Sequence, residues 1–341
     1  MRSYGKLINL DMKKKTNIII FGGAGYIGST VSEFFLKKNY LVKSIDNLIY
    51  NQKKPLHKKN YNFYNINISK INKIKKLMDE NSTVILLAGL VGDPITKKYS
   101  KLSKKINENY IIKLIDQCLK IKVKHIIFVS TCSNYGITKN NKMVDEKSKL
   151  NPLSLYAKSK IKIEKYLKKK SKSNKIKITI FRFATAFGVS KRMRFDLTVN
   201  QFVREIFLKN KLEVYDTGTW RPYCHVKDFA GAIYKVIQIK RNKLFNIYNV
   251  GSNKNKFTKE KIIKKIQKYI KTDNVSFVEK NTDFRNYKVN FTKMKKELNF
   301  VPKYSVDYGI QEIIHLMKKN MFLNLKKSKD KFGNYIIKKQ K

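Results

Sequence analysis

Gly22-Gly23-Ala24-Gly25-Tyr26-Ile27-Gly28 is the stretch that decides the fold. It follows directly on a short β-branched run, residues 17–21, and opens a helical stretch, residues 29–38. In such a strand–turn–helix unit Gly22 permits the tight turn and Gly25 lets the backbone approach a pyrophosphate. Gly28 lets the helix pack closely on the strand. The helix N-terminus then faces the phosphates, and Tyr26 and Ile27 belong to the same contact surface. A lone glycine pattern says little. Here a second strand, residues 40–45, ends in Asp46-Asn47, and Asp46 is placed to accept hydrogen bonds from an adenosine ribose. No arginine stands in its place, so the pattern favours NAD over NADP.

Outward from this motif the chain alternates. Residues 62–68, 82–88, 124–130 and 176–182 read as strands. Residues 105–119 have helical spacing, with Ile106, Ile111, Leu114, Ile115 and Cys118 or Leu119 on one side, and residues 154–170 read as another helix. Strands alternating with helices mean βαβ units. The expected fold is α/β: a Rossmann doubly wound parallel sheet with a smaller C-terminal α/β substrate-binding lobe. After Gly188 the pattern loosens. Residues 196–208 and 258–270 look helical, and Phe245–Val250 reads as a late strand returning to the sheet. The expected division is 16–188 plus about 221–250 for the NAD-binding domain, and about 189–220 and 251–318 for the second lobe. The lysine-rich tail, 326–341, is expected to be loose.

Composition bounds the function. The longest apolar run, residues 84–91, is broken by Gly89 and is far too short to span a membrane. Residues 1–15 hold no sustained apolar block and read as no signal peptide, so the expected compartment is the cytoplasm. Three cysteines and four histidines show no metal or redox spacing, which argues against a disulfide framework and a metal site. The net charge of +52 invites a nucleic-acid reading. Only 8 of the 76 basic residues are arginine, however, the better ligand for phosphate and base edges. The lysines are spread along a chain also rich in Asn and Ile, as an AT-rich genome would produce. A solvated basic surface with no specific nucleic-acid site is the expectation.

The catalytic candidates lie on the fifth strand and the helix after it. Tyr156-Ala157-Lys158-Ser159-Lys160 puts Tyr156 and Lys160 on one helix face. A tyrosine titrates near 10, so it needs a neighbouring cation to act as a base near neutral pH. Lys160 could also hold a nicotinamide ribose. Upstream, Phe128-Val129-Ser130-Thr131-Cys132-Ser133-Asn134-Tyr135-Gly136 ends a buried strand in hydroxyls, where ligands bind in open α/β sheets. Thr131 could bond a substrate hydroxyl or ketone.

With these motifs the chain resembles an extended short-chain dehydrogenase/reductase of the nucleotide-sugar epimerase/dehydratase family, from about Asn17 to Leu316. The likeness includes Leu87-Ala88-Gly89 after the fourth strand, Ile106-Asn107, Val144-Asp145-Glu146, Asn151-Pro152 and Arg182-Phe183-Ala184-Thr185-Ala186-Phe187-Gly188. Trp220-Arg221-Pro222-Tyr223-Cys224-His225-Val226-Lys227-Asp228 and Tyr248-Asn249-Val250-Gly251 belong to it too. Val91-Gly92-Asp93-Pro94 and Arg192-Met193-Arg194-Phe195-Asp196-Leu197 resemble a narrower branch acting on nucleotide-linked sugars of surface polysaccharides. The resemblance implies Thr131, Tyr156 and Lys160 as the catalytic triad, and Asn107 as the asparagine that supports the lysine through water. It adds Asn67, Ile68, Leu87, Ala88, Gly89 and Ala184 as cofactor contacts. Arg221 and Arg285 would grip a substrate diphosphate, with Thr185 and Asn200 as further substrate contacts. The family usually has an acidic residue where Asn67 stands. Sugar 4,6-dehydratases carry Asp-Glu after the catalytic threonine, where this chain has Cys132-Ser133, so elimination of water is disfavoured.

The expected function is therefore an NAD-dependent nucleotide-sugar epimerase, acting at C4 through a transient 4-keto sugar. Its partners would be the nucleotide-diphosphate sugar and a second copy of the chain, paired through residues 105–119 and 154–170. A 4-dehydrogenase releasing the keto sugar shares every motif and would differ by net reduction of NAD. A non-catalytic RNA or anion binder on the same fold is the rival from another class; the charge favours it and the intact triad opposes it.

Overall fold

Runs of β-branched and aromatic residues form seven strands that pair in one parallel sheet. The computed structural model describes residues 17–138, 143–239, 243–279, 286–321 and 332–337. The strands are β1 Ile18–Phe21, β2 Val42–Asp46, β3 Tyr61–Asn65, β4 Thr83–Leu86, β5 His125–Thr131, β6 Lys177–Phe183 and β7 Phe245–Val250. Their spatial order is β7-β6-β5-β4-β1-β2-β3. The order reverses between β1 and β4, which leaves a crevice at their carboxyl ends. Strand β3 stops three residues earlier than expected. There the Asn67 side chain accepts the backbone N–H of Ser69 at 3.0 Å, and this local turn ends the extended run.

All four β1 side chains are buried, as a parallel sheet covered on both faces requires. Ile18 and Ile20 join a core with Val31, Phe35, Phe229 and Ile233. Ile19 and Phe21 join the opposite core with Leu114, Ile115, Ile163 and Leu167. Helices α1 Tyr26–Lys37 and α5 Val226–Gln238 thus cover one face, and α2 Ile111–Ile121 and α3 Leu155–Ser171 the other. The apolar side of α2 is spent in this core.

A third cluster, around Phe187, Phe195, Val203, Ile263 and Ile313, forms the second lobe with α4 Thr198–Phe207, α6 Lys259–Gln267 and α7 Val306–Lys318. Strand Trp220–His225 pairs with Thr185–Phe187 and Lys256–Thr258. Residues 332–337, expected in a loose tail, pack onto this lobe. Phe332 meets the Phe195 ring edge-on, and its carbonyl accepts the Phe195 N–H at 2.6 Å. The physical reason is an apolar and aromatic island, Phe332-Gly333-Asn334-Tyr335-Ile336-Ile337, within the lysines. The rest of the tail lies outside the described residues. No described helix is long and apolar enough to cross a membrane.

Candidate active site

A cavity of about 1070 Å³ opens at the carboxyl ends of β1, β2, β4 and β5. That exceeds the usual range for one small ligand and suits a dinucleotide with a second molecule beside it. Its floor is the glycine turn. Gly22 has φ +86°, and a Cβ there would stand 2.7 Å from the Ala88 nitrogen. A Cβ on Gly28 would stand 2.1 Å from the Gly22 carbonyl oxygen. Only glycine allows this fold of turn, helix and β4 loop. Among the described residues no side chain caps α1, whose first turn also lacks an acidic residue. The unspent N–H groups and the bare turn fit a diphosphate.

Asp46 ends β2 beside the turn. One oxygen accepts Ala24 N–H at 3.1 Å, and the other accepts Leu48 N–H at 2.8 Å and the Gln52 amide at 3.3 Å. Burial pushes its carboxyl up, and the Leu48 and Ala24 N–H groups oppose the shift. Asn47, Asn67, Ile68, Leu87, Ala88 and Gly89 line the same part of the cavity. Tyr26 lines it too and ties the lobes together, donating to the Gly188 carbonyl at 2.7 Å.

The opposite wall carries the catalytic candidates. Ser154 caps α3 by accepting Ala157 N–H at 3.2 Å, which sets Tyr156 in the first turn and Lys160 one turn on. Lys160 is buried; its ammonium donates to the Val129 carbonyl at 2.8 Å and lies 4.7 Å from the Phe128 ring centre. Burial pulls its pKa down to about 8, against the upward effect of Glu164. It lies 5.7 Å from the Tyr156 ring centre, while burial holds the Tyr156 phenol above its ordinary range. Thr131 ends β5, its hydroxyl oxygen accepting Ser133 N–H at 3.1 Å, so the hydroxyl proton is left to donate. Thr131, Tyr156 and Lys160 all line the cavity, with Ala184, Thr185 and Arg221. Arg221 is buried, donates to the Trp220 carbonyl and stacks 5.2 Å from the Tyr287 ring centre.

Two of the expected contact residues bond within the chain, and Arg285 lies outside the described residues. Asn107, expected to support Lys160, spends its side chain on the loop after β4. Its oxygen accepts Leu90 N–H at 2.8 Å, and its amide donates to the Leu90 carbonyl at 3.0 Å and to Ser103 at 3.1 Å. The cause is a π-helical turn, Lys105–Tyr110, where a regular helix was expected. Asn200, expected on the substrate, is fully buried and does not line the cavity. It brackets a loop by accepting Gly188 N–H at 3.0 Å and donating to the Arg194 carbonyl at 2.9 Å.

Sequence reasoning missed two parts of the site. Beneath Lys160, Glu164 holds Arg182 in a buried pair at 2.7 Å and accepts Asn134 at 2.8 Å, fixing β5 and β6 against α3. Arg192, Arg194, Asn334 and Tyr335 also form part of the cavity wall. The first two lie within residues 192–197, whose sequence pointed to a branch of the family rather than to a contact. The signal for the last two was the aromatic island in the tail.

The model of the NAD dependent epimerase/dehydratase family matches residues 18–251. The UDP-glucuronate 4-epimerase of Thermodesulfobacterium geofontis is 26% identical, over 89% of this chain and 97% of its own. The crystal structure of Thermotoga maritima UDP-glucose 4-epimerase with UDP-glucose superposes with a TM-score of 0.79 at 24% identity, covering 89% of this chain and 99% of that one. The UDP-glucuronic acid 4-epimerase of Bacillus cereus, in complex with UDP-glucuronic acid and NAD, gives 0.77 at 22% identity and the same coverage.

Proposed function

The chain belongs to the NAD-dependent epimerase/dehydratase family, and from that premise we propose that it is a nucleotide-sugar epimerase acting at C4. The observation that carries this reading is the convergence of Thr131, Tyr156 and Lys160 on one wall of a cavity whose floor is the glycine cradle.

NAD, when bound, supplies the acceptor and then the donor of the hydride at C4. Tyr156 takes the proton of the C4 hydroxyl and returns it after the keto sugar has turned over. Lys160 is the buried cation whose charge favours the tyrosinate, and its ammonium has a fixed carbonyl partner that keeps it in place. Thr131 donates to the reacting oxygen. Arg221 bonds the substrate diphosphate, since its fork of N–H groups suits phosphate oxygens. The cavity walls exclude water and hold the sugar while it exposes each face in turn.

A dehydratase would need an acid after Thr131. Cys132 is fully buried, its thiol donates to the Arg182 carbonyl at 3.2 Å, and burial pushes it well above the ordinary thiol range. It offers no proton to a substrate. We further propose a cytoplasmic homodimer whose product feeds surface-polysaccharide assembly. The test is incubation of the NAD-loaded protein with UDP-, GDP-, CDP- and dTDP-sugars, followed by NMR of the products. A pair of C4 epimers supports the reading. Stoichiometric keto sugar with reduced cofactor would replace it with a 4-dehydrogenase.

A further inference from the structure

We infer that Arg192 is a clamp for the diphosphate of the cofactor, lining the same cavity as the glycine cradle and held there by the C-terminal segment 332–337. The inference rests on the cofactor half of the proposed reading and not on the sugar chemistry.

Arg192 belongs to the second lobe and lines the cavity half-buried. Its guanidinium lies 5.2 Å from the Tyr50 ring centre and donates to the Gly333 carbonyl at 3.1 Å. Its neighbour Arg194 takes both oxygens of Asp196, at 3.0 and 2.6 Å, so that carboxylate is already engaged. Among the described residues no carboxylate forms an ion pair with Arg192. The cation is therefore oriented by a ring and a carbonyl, with donors left for an anion. Burial first, and Arg194 second, pull its pKa down to about 10, against the upward effects of Asp196, Tyr50 and Asp46.

Two sources could supply a diphosphate, the cofactor and the sugar nucleotide, and the surroundings favour the cofactor. Asp46, at the adenosine end, feels the charge of Arg192. Arg192 stacks on Tyr50, four residues past Asp46, in the stretch whose Gln52 amide donates to the Asp46 carboxylate at 3.3 Å. The carbonyl that orients Arg192 is itself fixed. Next to it, Asn334 donates its backbone N–H to Asp196 and its side-chain amide to the Val91 carbonyl, each at 3.3 Å. The segment thus bridges the β4 loop and the second lobe over the cavity.

The test uses the full-length protein stripped of cofactor, with calorimetric titration of NAD and, separately, of UDP as the probe for the substrate diphosphate. Arg192→Gln should weaken NAD binding about 10- to 100-fold, as expected for losing a charge-assisted bond to phosphate, and leave UDP affinity within about twofold. Arg192→Lys should recover part of the loss. Wild-type protein gives an arm free of folding effects. Phenylglyoxal should modify Arg192, and NAD should protect it where UDP does not. Unchanged NAD affinity in Arg192→Gln, or protection by UDP alone, would overturn the inference. None of these readouts needs a sugar to turn over, so they stand or fall apart from the epimerase reading.

Discussion

Lys160 sits buried with its ammonium on a backbone carbonyl rather than on a carboxylate. A lysine whose pKa falls from 10.5 to about 8 is charged at a cost in the folded state. The penalty is present in full below pH 8 and fades as pH rises from 8 to 10.5, where the unfolded chain also loses the proton. Lys160→Met should therefore stabilise the cofactor-free protein at pH 7 by as much as about 3 kcal/mol, with the gain vanishing near pH 10.5. Thermal unfolding across that range checks it, and the same variant should be inactive. Tyr156→Phe removes only the phenol oxygen, so fold and NAD affinity should hold while turnover drops about 10²- to 10⁴-fold. Asp46 predicts a preference for NAD over NADP, because its carboxylate would repel a 2′-phosphate; equal or tighter NADP binding in a paired titration would refute it. These residues were legible because their chemistry fixes their spacing: four apart on a helix for Tyr156 and Lys160, the end of β2 for Asp46. The loop-bracketing bonds of Asn107 and Asn200 were not legible, because an amide that brackets a loop and one that binds a ligand look alike in sequence.

Elements show the same division. Strands β1, β4 and β5 could be read because a parallel strand buried on both faces is a continuous apolar run. The π-helical turn could not, since one extra residue in a turn barely disturbs the apolar spacing around Ile106 and Ile111. That turn aims Asn107 at Leu90, and the assignment has a measurable consequence. Asn107→Ala leaves the buried Leu90 N–H and carbonyl without partners, at about 1–3 kcal/mol for each such group. Denaturant unfolding should register that loss. NAD affinity should fall with it, because the freed loop lines the cavity. Stability equal to wild type would show that the three bonds contribute nothing. The docked segment 332–337 was hidden for a different reason: its mostly apolar and aromatic residues stand out among the lysines but carry no periodicity, and tertiary contact with Phe195 gives their place.

At the scale of the whole molecule the +52 charge is the feature most open to misreading. Binding to DNA or RNA should be weak and should fall steeply with added salt, the mark of counterion release without base contacts. A tight complex at physiological salt would revive the binding-protein reading. The proposed homodimer would pair α2 and α3 through a polar outer surface, where Lys162 meets Glu108 at 2.6 Å and Tyr166 bonds Asp116. Light scattering at low and high salt should find the dimer, and monomer at both would reject it. The central proposal is a sugar oxidised and reduced at one carbon within one site. The direct measurement is turnover of a nucleotide sugar deuterated at C4, with NMR of the product. The account predicts inversion at C4 with the label still on that carbon and no net reduction of cofactor. Loss of the label, or keto sugar accumulating in step with reduced cofactor, would contradict it.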